Sequence, residues 1–206
     1  MIRARQLLRR ADAYAVMSVA LLTCAILLAP MLTRSMTLHM LAHIPLILAA
    51  GIFMGAALQV SAWPYRIARR PILRSYGKYN EYGVPGLLMC TFVAAYWMIP
   101  KSLDDVFLSS AVNIGKYVGL VLAGIVLFDS LRRGNSVIKL FFLGNFSWMT
   151  AIVGLVYQDE TQRLCNFYLL TDQGMAGRGL VALAVLLPIA WLWTERNWIR
   201  QMLGNR

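Results

Sequence analysis

Two histidines, His39 and His43, are the imidazoles of this 206-residue chain. A spacing of four residues puts both rings on one face of a helix, one turn apart, where they can converge on a single ion. Met36 and Met40 interleave with them. At about 100° per residue the four side chains fall within about 100° of the helix circumference. The result is one stripe of two imidazoles and two thioethers. Thioether sulfur is soft and favours Cu(I), imidazole accepts copper in either oxidation state, and magnesium or calcium would want oxygen. Copper is therefore the ion that suits the stripe. The same residues admit a metal-free reading: methionine fills apolar interiors, and imidazoles hydrogen-bond between helices.

The element that carries the stripe must be a membrane span. Hydrophobic residues make up 59% of the chain and charged residues 14%, against about 25% charged in a soluble domain. Apolar runs approach about 20 residues, the length of a spanning helix. They are contiguous rather than alternating, which argues against a barrel. Lys and Arg outnumber Asp and Glu by 20 to 9, for a net charge of +11. Because the bases lie between apolar runs, this excess points to the membrane surface and not to nucleic acid. Cys24, Cys90 and Cys165 form no CxxC, which removes thioredoxin-like and zinc-ribbon readings. GxSxG, HExxH and P-loop motifs are missing, so the chain does not read as an enzyme.

The pattern predicts an all-α, polytopic transmembrane bundle, one integral membrane domain over residues 1–206. Six spans are expected at residues 11–31, 36–63, 83–100, 106–129, 137–157 and 174–195. Arg3, Arg5, Arg9 and Arg10, then the loop bases Arg66, Arg69, Arg70, Arg74 and Lys78, then Arg132, Arg133 and the C-terminal arginines all fall on one side. By the positive-inside rule that side is cytoplasmic, with both termini on it. His39 then lies near the outer surface and His43 one turn deeper. Pro45 should kink this helix just below the pair.

Other polar groups reach the same level. Lys116 lies mid-helix with no acidic neighbour within a turn or two of its own helix. Pairing with Asp172, a hydrogen bond to Asn145, or a neutral state would each accommodate it. Since a cation beside bound copper weakens binding, Lys116 is expected to point away from the histidines. Asp104 and Asp105 read as a solvated turn, and Cys165 as free, capped or an accessory ligand. Trp63, Trp97, Tyr157 and Trp198 suit interfacial belts.

Leu38-His39-Met40-Leu41-Ala42-His43 resembles the HMxxH helix of the CtaG-type membrane assembly factors of bacterial haem-copper cytochrome c oxidases. Asp172-Gln173-Gly174-Met175-Ala176-Gly177 resembles that family's DQxxAG signature, and Trp97-Met98-Ile99-Pro100 its Trp-His-x-Pro helix end. The three occur in the family's order. Met98 stands where a third histidine is expected, and the chain is shorter than family members by about one span. The resemblance implies a copper-binding assembly factor in the bacterial cytoplasmic membrane, with an oxidase subunit or periplasmic copper carrier as partner. His39, His43, Met36, Met40 and Met98 would be ligands, and Asp172 and Gln173 would orient an imidazole N–H. Two alternatives stay open. One is a b-type haem electron-transfer protein, with a His/Met pair between helices because two histidines on one face cannot ligate both sides of the iron. The other is a structural or transport subunit without metal.

Overall fold

The computed structural model describes residues 2–60 and 76–194, with side chains from Ala11 onward. All regular structure among them is helical: α1 (Ile2–Leu27), α2 (Ala29–Leu32), α3 (Met36–Val60), α4 (Val84–Trp97), α5 (Pro100–Leu108), α6 (Ser110–Arg133), α7 (Ser136–Asp159) and α8 (Leu170–Thr194). Four of these, α3, α6, α7 and α8, are long and apolar enough to cross a membrane. α4 and α5 make a fifth only if taken together, and they are bent by 73°. The apolar part of α1, Ala11–Leu27, is shorter than the other four. Among the described residues four helices, or five with the bent pair, are thus long and apolar enough to span. The loop arginines at 66–74, the bases beyond 195, Trp63 and Trp198 lie outside the described residues.

The span expected at 106–129 starts later, and the reason is local. Ile99 precedes a proline and is extended, as sterics demand of that position. Pro100 then opens α5, and the chain extends again at Ser109 before α6 begins. Val106 and Leu108 therefore belong to a short helix that turns across the end of the bundle.

α1 lies along α3, α3 along α6, and α7 along α8. Small residues let these backbones approach, as is usual where lipid removes the hydrophobic drive between helices. A Cβ added at Gly124 of α6 would lie 2.8 Å from the Gly51 Cα of α3, and one at Gly154 of α7 would lie 2.7 Å from the Gly177 carbonyl of α8. Ser18 Oγ donates to the Ala50 carbonyl at 2.7 Å and pins α1 to α3.

Each end of the bundle is tied by one carboxylate. At the basic end, Asp129 accepts from Gln59 (3.0 Å) and Arg133 (2.7 Å), beside an Asn80 amide that donates to Ser130 Oγ at 3.0 Å. At the other end Asp104 is buried, not in a solvated turn as expected. Its Oδ2 accepts from the Asn166 backbone N–H at 2.8 Å and the Asn166 side-chain amide at 3.1 Å. The segment 160–169 is thereby held down over α5.

Two outcomes follow from these contacts. Gly124→Ala drives a methyl into backbone on the opposing helix and should cost about 1–3 kcal/mol in a denaturation titration in mixed micelles. Gly119→Ala meets nothing within 4 Å and should leave the midpoint unchanged; equal effects at the two positions would contradict the close α3–α6 crossing.

Candidate functional site

Residues His39–His43 of α3 form a π turn just before Pro45, with the Ile44 N–H donating to the His39 carbonyl. Proline at 45 removes the N–H that would have bonded to Leu41 and presses its ring on that carbonyl, and a wider turn relieves both. Such turns are frequent at functional sites. This one carries both histidines, each fully buried, with ring centroids 5.4 Å apart and planes 46° apart.

The partners fix the tautomers. Tyr168 Oη donates to the Thr33 carbonyl at 3.3 Å, so it accepts from His39 Nδ1–H at 2.8 Å. The lone pair of His39 is then on Nε2, and Lys116 Nζ stands 3.2 Å from it. His43 Nε2 lies 3.1 Å from the Ala25 carbonyl, which only accepts, so Nε2 carries the proton. That carbonyl is available because the last four of a helix lack partners within it. Tyr117 Oη sits 3.2 Å from the same ring nitrogen. The lone pair of His43 is therefore on Nδ1, which is buried and has no hydrogen-bond partner among the described residues.

Lys116 does not point away from the histidines. It is 1% exposed, faces His39 and lies 5.2 Å from the centroid of the Tyr117 ring. The single ion pair among the described residues is Arg133 with Asp129, so neither Asp172 nor any other described carboxylate neutralises it, and Asn145 is exposed. An ammonium in a dry interior needs an acceptor, and the imidazole lone pair supplies it.

The other sequence-derived candidates are close by but differently engaged. Met36 and Met40 pack with Leu103, Tyr157, Cys165, Tyr168, Ala176 and Leu180, and Met98 lies against that cluster. His43 looks toward α1 and α6, whereas His39 bridges Lys116 of α6 and Tyr168, a member of that same methionine cluster. Gln173 is buried, and its amide serves the outer segment: Oε1 accepts from Leu164 N–H at 2.9 Å, and Nε2 donates to the Tyr157 carbonyl at 3.4 Å. Asp172 receives Thr37 Oγ1 on its backbone carbonyl at 3.3 Å. The hydrogen-bond partners of the imidazoles are thus Tyr168, Lys116, Tyr117 and Ala25 and not Asp172 or Gln173. No three of His, Cys, Asp and Glu converge as a metal cage among the described residues.

Cys165 is a free, buried thiol that donates to the Pro100 carbonyl at 3.3 Å. Burial, with Asp104 nearby, pushes it up to about 12. Burial also raises the Tyr168 hydroxyl above its usual range, which keeps the proton that it gives to Thr33. Sequence reasoning missed Tyr168 and Tyr117. Tyr117 carried a signal as the neighbour of a mid-helix lysine, whereas Tyr168 lies in a loop and carried none. No protein-family model, curated protein or solved structure matches the chain.

Truncating His39 strands the Lys116 ammonium. His39→Ala should cost about 3–5 kcal/mol in a micelle titration, and adding Lys116→Met to it should recover most of that; additive losses would break the pair. In a Cys24→Ser/Cys90→Ser background, Cys165 should resist maleimide at pH 8, because its raised pKa holds the thiol protonated. Its rate should climb only as pH approaches about 12. Asp104→Ala should release the segment above it and speed labelling at least about tenfold, since thiol reactivity follows exposure and thiolate character.

Proposed function

We propose that this protein is a multi-pass factor of the bacterial cytoplasmic membrane that takes up copper as cargo, with His39 and His43 as donors, and serves metal-centre maturation of a haem-copper cytochrome c oxidase. It is not an enzyme in this reading. The observation that carries it is the buried lone pair on His43 Nδ1, without a partner among the described residues. A buried unsatisfied polar atom costs about 1–3 kcal/mol and calls for an occupant such as an ion or a water. A histidine whose other nitrogen is tied to a backbone carbonyl is oriented as a metal ligand commonly is. The resemblance of residues 38–43, 97–100 and 172–177 to the CtaG-type pattern supports the choice of copper and of the oxidase as recipient. Met40 in the same turn, with Met36 and Met98 in the adjoining cluster, supplies soft donors beside the nitrogens.

Within this reading the chain crosses the bilayer six times, α1 and the α4–α5 pair each counting once, with both termini cytoplasmic as the basic loops favour. His39 then sits under the outer face, where copper from a periplasmic carrier arrives. Lys116 holds the second lone pair when the site is empty of cargo, so a cation must displace it from His39. Tyr168 keeps the His39 ring from rotating.

One observation favours a second reading: both nitrogens of His39 are engaged by protein groups. On that account the cluster is a metal-free polar tie between α1, α3 and α6 in a structural subunit.

Copper loading separates the two. Purified protein loaded with Cu(I) and competed with a soluble chelator should retain about one copper per chain by elemental analysis. His39→Ala/His43→Ala should lose it, and Lys116→Met, which removes a competing positive charge, should hold it at least about tenfold more tightly, since that charge acts across a dry interior. Wild-type copper content in the double variant, or none in the wild type, would sink the proposal. Deleting the gene should lower the copper content of the host's terminal oxidases. A stoichiometric Soret band in the purified protein would replace copper with haem.

A further inference from the structure

A cavity of about 380 Å³ lies between α3, α4, α6, α7 and α8 and begins beside the histidine turn, where Met40 lines it but neither imidazole does. Its walls run along α4 from Leu87 to Met98, along α6 from Leu120 to Leu131, and along α8 from Leu180 to Trp191. Each stretch advances eleven residues, about 16 Å at 1.5 Å per residue, or about half the 30 Å hydrocarbon layer. The cavity is therefore one leaflet long. Its lining is apolar apart from a few groups, and the one charged side chain on it is Lys139, at the start of α7. Trp191 and Leu131 mark the same end of the bundle, where Arg132 and Arg133 also lie. No hydrogen bond or ion pair engages the Lys139 ammonium among the described residues, and it is half-buried.

We propose that this groove is a binding site for an anionic phospholipid of the surrounding bilayer, with one acyl chain between α4, α6 and α8 and the phosphate on Lys139. Length and polarity select a single hydrocarbon chain. The unpaired cation at one end selects an anionic head, and Trp191 beside it is the side chain that favours the level where chain meets headgroup. The occupant fills the space between α7–α8 and the α3–α6 pair.

The full-length chain, reconstituted in nanodiscs of phosphatidylcholine with a minority of phosphatidylglycerol and then released for native mass spectrometry, tests this. The wild type should retain one phosphatidylglycerol about fivefold in preference to phosphatidylcholine, the discrimination expected of one lysine at a membrane surface. Lys139→Ala should abolish the preference and Lys139→Arg should keep it. Ala94→Trp, which fills the groove, should lower retention of both lipids. Should that variant misfold, a phosphatidylglycerol with a photoreactive chain serves instead, and should cross-link the wild type on α4 and α8. Equal retention of the two lipids by the wild type, a preference unaltered in Lys139→Ala, or cross-links confined to the outward face of α7 at Phe141 and Trp148 would each overturn the site.

Discussion

An ammonium group sealed in an apolar interior must find an electron pair, and in this protein the Lys116–His39 contact meets that demand. Desolvating a lysine without a partner is costly enough that the surrounding helices are arranged around the solution. His39 accepts from Lys116 through Nε2, which forces its proton onto Nδ1, and Nδ1–H in turn needs an acceptor. Tyr168 fills that role and hands its own proton to Thr33. One lysine thus sets the tautomer of a ring on α3 and the position of a loop residue some 130 positions in sequence from that ring. Chains of this kind strengthen one another in a low dielectric and are severe on any member left unsatisfied.

The loop above the cluster is built to deliver that tyrosine. Asp104 captures the backbone at 166 and 167, Cys165 bonds to Pro100, and Gln173 holds Leu164. These are ties between α5, the loop and α8, and they explain why α5 leaves the direction of α4 so sharply. A straight continuation would carry Asp104 away from the segment it anchors. The bend between α4 and α5 is thus the device that roofs the histidines. The Met-rich cluster of Met36, Met40 and Met98 fills the volume beneath the same roof.

His43 is placed by a different logic. Its Nε2–H is spent on a carbonyl left free where α1 ends, and the π turn rotates the ring toward α1 and α6. The opposite nitrogen is left with a lone pair and nothing to accept from. The contrast with His39 is instructive: two chemically identical side chains, one turn apart, become one saturated group and one open donor because their neighbours differ. The copper binding we propose begins from that asymmetry.

The residue types alone determined the solvent, the helical class and the place of the imidazole pair on one face, because bilayer length and helical period are properties that a run of side chains carries by itself. The burial of both histidines was legible for the same reason. The place where α6 begins was not, since the break at Ile99-Pro100 and the second one at Ser109 are backbone decisions settled by what α5 packs against. Nor was the direction of Lys116: its acceptor is 77 positions away in the chain, and only the crossing of α3 and α6 at Gly51 and Gly124 brings the two within reach. The partners of the imidazoles belong to the tertiary structure as well. Helical geometry places the four donors on one stripe, and only the packing of α1, α6 and the 160–169 loop around α3 decides that Ala25, Lys116 and Tyr168 engage the two rings.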